Sequence, residues 1–125
     1  MQNRGQQVEE VEETRDEKYL TFAIGAAEYG IAIDHVIEII GIQRITALPG
    51  APDFIRGVIN LRGKVIPVID VRRRFGLEER AYTDRTCIVV IKLSEMLIGL
   101  IVDGVSEVVD ITATEIEPPP KINKG

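Results

Sequence analysis

Apolar and polar positions alternate with a period of two over much of this 125-residue chain. From Tyr19 onward, Leu20, Phe22 and Ile24 alternate with Thr21 and Ala23, the pattern of a half-buried strand. Gly25-Ala26-Ala27-Glu28 predicts a turn, and Tyr29 to Ile33 returns as the partner strand. Val36-Ile37-Glu38-Ile39-Ile40 predicts a third strand. Leu48 to Gly57 reads as a loop feeding one helical turn, with Pro52 at its first position and Gly57 at its end. Within Gly57–Asp70, two β-branched runs flank Arg62-Gly63-Lys64, and a glycine tolerant of positive φ makes this a hairpin. Asp70 then suits the cap of a short helix, Val71 to Phe75, stopped by Gly76. Arg72, Arg73 and Arg74 lie near its negative end and read mainly as a solvated helix face, an anionic partner being the second reading.

The plan then repeats. A shift of 69 residues lays Leu20, Phe22 and Ile24 on Val89, Ile91 and Leu93 without a gap, and Gly30–Asp34 on Gly99–Asp103. Val36, Glu38, Ile39 and Ile40 fall on Val105, Glu107, Val108 and Val109. Only 6 of the 30 positions from Leu20 to Pro49 are identical, so the argument rests on the shared apolar register. The second unit reaches Gly125, equivalent to Arg56, where its own copy of the Gly57–Asp70 hairpin would begin. An apolar sheet edge left open exposes unpaired N–H and C=O groups. Strand exchange or dimerisation is therefore expected, or else lower stability than a longer chain.

Composition narrows the function. An apolar fraction of 45% supports one core, or two small subdomains in contact, with aliphatic packing because only 5% is aromatic. Net charge is −5 and the bases are scattered apart from the arginine run, which argues against nucleic acid. Met1 to Lys18 holds six acids, three bases and three apolar residues, too few to offset ordering, and reads as a mobile acidic tail. Cys87, the only cysteine, reads as a small core residue rather than a reactive thiol. No secretory h-region or 18-residue apolar run is present, so a cytosolic chain without membrane insertion is expected.

Catalytic sets are hard to assemble. His35 is the lone histidine and reads as a turn residue; no second histidine or cysteine completes a metal site. Ser94 and Ser106 lack a nucleophile elbow, and Arg62-Gly63-Lys64 lacks the spaced glycine and Ser/Thr of a phosphate loop. Neither a cofactor nor a metal is expected, and a small enzyme using Glu38 or Asp70 as base is the minority reading. Glu38 and Arg62, however, each interrupt an apolar strand. Each is either on a wet strand face or paired, and a pair at a groove mouth would steer a polar partner.

Phe54–Gly63 followed by Val65–Asp70 resembles the signature of CheW-type chemotaxis coupling proteins, supported by Tyr19–Ile33, Glu38-Ile39-Ile40 and Ile98–Val105. The resemblance covers Tyr19 to about Ile122. It implies an all-β fold of two SH3-like five-stranded barrels side by side, here roughly residues 19–80 and 81–125, the second lacking its C-terminal strands. It implies a cytoplasmic, non-enzymatic scaffold recruited to receptor arrays. Such a scaffold holds the regulatory domain of the histidine kinase CheA to the cytoplasmic tip of methyl-accepting chemoreceptors. Glu38 and Arg62 match the family's charged pair at the receptor-binding groove, and Val36, Gly57, Gly99, Val102 and Val105 match positions in or lining it. Kinase contacts are implied around Ile42, Ile45 and Arg56, with a second at Glu117, Lys121 and Ile122, where Glu117 departs from the basic residue of relatives. The alternative is a regulatory or coupling domain of a larger chemosensory protein.

Overall fold

The computed structural model describes residues 16–112. Its strands are β1 (Asp16–Ile24), β2 (Ala27–Ala32), β3 (Val36–Gly41), β4 (Ile55–Leu61), β5 (Lys64–Asp70), β6 (Cys87–Leu93), β7 (Met96–Val102) and β8 (Gly104–Thr112). A 3-10 turn (Ile33–His35) joins β2 to β3, and one short helix, α1 (Val71–Arg74), follows β5. The all-β expectation holds.

Two sheets form, in the orders β2-β1-β8 and β3-β6-β7-β5-β4. Thr46 and Val58 exchange two hydrogen bonds of 2.9 Å, which bring the segment after β3 onto β4 and curl the five-stranded sheet into a barrel. Ile59, Ile66, Val68, Ile88, Val90 and Ile101 fill its interior. Leu20, Phe22, Ile24, Val71, Val89, Ile91 and Val102 form a second core, between the barrel wall and the three-stranded sheet. Successive side chains of β6 thus serve opposite cores, which explains why Ile88-Val89-Val90-Ile91 is apolar without alternation.

The repeat is visible in the pairing. β3 pairs with β6 rather than β1, and β8 pairs with β1 rather than β6, so the two halves exchange their third strands. Val36 faces Ile91, and the equivalent Val105 faces Phe22; Ile40 faces Ile88, and Val109 faces Tyr19. The bulge between Val36 and Glu38 recurs in the β1–β8 pairing between Leu20 and Phe22. Gly25 and Ser94, the matching turn residues, both have positive φ, at 62° and 55°.

Three local expectations are corrected. The segment after Pro52 forms a turn, with Ile55 N–H donating to the Pro52 carbonyl at 3.0 Å, and no helix. Gly57 therefore lies inside β4 instead of ending a helix, because strand pairing with Val68 wins over the local Pro-Gly signal. The arginine run is a solvated face only at Arg74, which is exposed: Arg72 Nη1 meets Asp103 Oδ2 at 2.6 Å, and Arg73 contacts Asp53 and Glu79, each at 2.8 Å. The Arg74 guanidinium sits 5.2 Å from the Phe54 ring centre. The cap at α1 forms as expected, Asp70 Oδ1 accepting the Arg73 N–H at 3.2 Å. β1 starts at Asp16, three residues earlier than the Tyr19 expected, because this stretch pairs with β8; Lys18 meets Asp110 at 2.7 Å.

Candidate functional site: a charged pair across the barrel seam

The β4–β5 turn has two residues, Arg62 at φ 50° and Gly63 at φ 88°, the positive pair that a tight hairpin with right-handed twist requires. Asn60 Oδ1 accepts the Gly63 N–H at 3.0 Å and holds the turn. This geometry carries Arg62 over to β3, where its Nη2 donates to Glu38 Oε1 at 2.6 Å. Since β3 and β4 are the outer strands of the five, the ion pair crosses the barrel seam. The arginine side chain is 68% exposed and the carboxylate 28%. The hydrogen bond to Glu38, and secondarily its charge, raise the guanidinium further above its already high pKa, so the cation is permanent. Ile37 and Ile39, on either side of Glu38, are exposed at 47% and 44%.

Gly57 lies a few residues away, under the Thr46 carbonyl. A Cβ there would come within 2.1 Å of the Thr46 oxygen, at a φ of 149°. Only glycine lets the seam close. Gly99 is buried in β7, where a Cβ would press on Ile88 Cγ2 at 2.9 Å. Val102 is fully buried in the core between the sheets and offers no side chain to a partner. Val36 and Val105 are half-buried against the core between the sheets, at equivalent places on the two exchanged strands.

Of the expected kinase-side residues, Ile42 and Ile45 pack on the barrel core. Arg56 is engaged: its Nη1 is 2.9 Å from Glu79 and 3.9 Å from the buried Asp70, and its guanidinium lies 5.7 Å from the Tyr82 ring centre. Glu117, Lys121 and Ile122 lie outside the described residues. Hydrogen bonds from Arg56 and Arg73 hold the Glu79 carboxyl below the ordinary carboxylate range. His35 is exposed in its turn, and burial pushes the Cys87 thiol up, away from reactivity.

The chain pattern did not disclose a clasp formed by Asp103. Its Oδ2 accepts both the Gly25 N–H and Arg72 Nη1 at 2.6 Å, and Arg72 Nε also donates to the Glu78 carbonyl at 2.8 Å. The recurrence of aspartate at positions 34 and 103 was the only signal for it.

The CheW-like domain family matches residues 18–125. The chain belongs to that family. Its relatives include the chemotaxis protein CheW of Klebsiella aerogenes, 41% identical over 109 residues, covering 87% of this chain and 66% of that one. Another is CheW of Bacillus subtilis, 41% identical over 105 residues and covering 84% and 67%. Among solved structures, the scaffolding protein TtCheW from Thermoanaerobacter tengcongensis superposes with a TM-score of 0.81 at 41% identity, covering 86% of this chain and 73% of that one. The chain thus spans about two thirds of the length of the curated relatives it matches. The all-β architecture in two sheets is that of the CheW family's paired SH3-like barrels. No helix among the described residues is long and apolar enough to cross a membrane.

Proposed function

We propose that this chain is a non-enzymatic coupling scaffold of a chemotaxis system, cytoplasmic and recruited to receptor arrays. In this reading it holds the regulatory domain of the histidine kinase CheA to the cytoplasmic tip of methyl-accepting chemoreceptors. The observation that carries it is the Arg62–Glu38 pair, standing at the surface across the barrel seam in a chain of this family. An exposed pair of this kind adds little to folding and is better suited to orienting a partner. Relatives carry the names chemotaxis protein and scaffolding protein, which favours a coupling role over a catalytic one.

Glu38 and Arg62 present the charges of the receptor-facing surface, with Val36 and Val105 at its apolar edge. Gly57, Gly99 and Val102 set the backbone and core behind it. Ile42, Ile45 and Arg56 face the kinase, with Glu117, Lys121 and Ile122 as the second contact. The three-stranded sheet ends on β2 and β8 among the described residues, and such edges offer backbone to a second copy, which favours a strand-exchanged dimer. Sedimentation across a concentration series reads this last point, and a monomer at all concentrations removes it. The coupling role is tested by co-purification with a receptor cytoplasmic fragment and a CheA regulatory domain. Simultaneous retention of both is expected; binding of neither overturns the proposal.

A further inference from the structure

β5 and β7 are parallel neighbours, yet they pair only from Val68–Gly99 to Asp70–Ile101. Ahead of these pairs the strands diverge. Lys64 to Pro67 keep β4 as partner and Met96 to Ile98 keep β6, but the two stretches do not pair with each other. A groove of about 580 Å³ opens in the splay, lined by Lys64 to Pro67 and by Met96 and Leu97 together with Ile37 and Lys92. Its apolar wall is bare: Val65 is 67% exposed, Met96 56% and Ile37 47%. Lys64 and Lys92 stand on the rim and have no acidic partner among the described residues, with Glu95 the single opposing charge.

We infer that this splay is a binding site for a short extended segment of a partner protein that carries acidic residues. Two diverging walls with unmatched backbone edges suit a strand, which offers N–H and C=O groups to both sides. Alternating side chains of that strand would place aliphatics on Val65 and Met96 and carboxylates on Lys64 and Lys92. The volume lies within the range of sites that hold small ligands or a few peptide residues. The proposal is independent of the coupling role, because its readout uses no chemoreceptor or kinase.

The test is a titration of the isotope-labelled full chain with two synthetic peptides, one alternating glutamate with valine and the other lysine with valine. The acidic peptide is expected to shift the amides of Val65, Ile66, Met96 and Leu97, and to protect from hydrogen exchange those of Val65 and Leu97, whose N–H groups point away from β4 and β6 into the splay. Its binding should weaken with salt, and the Lys64→Glu, Lys92→Glu variant should lose roughly tenfold or more in affinity. If that reversal unfolds the chain, the Lys64→Gln, Lys92→Gln variant makes the same reading with charge removal alone. Equal binding of both peptides, or shifts that map elsewhere, overturns the inference. Concentration-dependent shifts of the same amides without peptide would assign the groove to a second copy of the chain, and overturn it as well.

Discussion

The barrel and the three-stranded sheet begin with one strand plan and end as different objects. In the barrel, the β4–β5 hairpin closes the seam, and its tip gives Glu38 a cation at 2.6 Å. In the three-stranded sheet the equivalent carboxylate, Glu107, has no cation beside it among the described residues; its backbone instead exchanges hydrogen bonds with the Thr21 hydroxyl at 2.9 and 3.2 Å. Ile39 and its counterpart Val108 are similarly exposed, at 44% and 50%. Among the described residues the two copies share matching strands, and the β4–β5 hairpin of the first gives its carboxylate a cation.

The sharpest way to break the contrast is to reopen the seam. Gly57→Val drives a side chain into the Thr46 carbonyl and is expected to cost about 4 kcal/mol or more, enough to unfold a marginal domain. Gly41→Val, with nothing within 4 Å of its added Cβ, should cost far less. Urea titration of both variants compares them; similar midpoints would mean the seam is not closed as described.

Next in size are the two cores. Ile66→Ala in the barrel and Leu20→Ala between the sheets, at 1% and 3% exposure, should each cost about 3 kcal/mol. The shared walls β6 and β7 predict a single transition with unchanged urea dependence in both variants. A reduced slope for Leu20→Ala alone would show that the three-stranded sheet melts separately. Smaller again is the clasp between the regions: Asp103→Ala leaves Arg72 Nη1 and the Gly25 N–H unmatched and should cost about 2 kcal/mol by the same titration.

The smallest effect is one of acid. Glu79, tied to Arg56 and Arg73, has its carboxyl lowered from an ordinary value of 4.5. A depressed folded-state value stabilises above the unfolded one, and that contribution disappears as pH falls through the folded one. Wild type should therefore lose slightly more stability below pH 4.5 than Glu79→Gln does. Parallel acid titrations of the two proteins would contradict this.

Legibility in the sequence followed the range of the forces involved. The Arg62-Gly63 turn, the Asp70 cap and the alternating strands are local and were readable from spacing, and so was the repeat. Partner choice was not. Period-two alternation says that β3 is a strand, but nothing in Val36–Gly41 says that it leaves β1 for β6. The Pro52 signal failed because a turn serves the entry to β4 as well as a helix would, and pairing with β5 decides it. The arginine run misled for a similar reason: two of its acceptors, Asp53 and Asp103, come from loops 20 and 31 residues away, and only Glu79 lies nearby in the chain. The Glu38–Arg62 meeting was legible only as one of two readings, and the seam geometry now joins the pair.

The most direct measurement is a double-mutant cycle on that pair, read by calorimetric binding to a chemoreceptor cytoplasmic fragment. Arg62→Glu and Glu38→Arg should each weaken binding roughly tenfold or more while the urea midpoint stays near wild type, and the double variant should recover much of the loss. Wild-type binding by both single variants would contradict the proposed receptor-facing role of the seam.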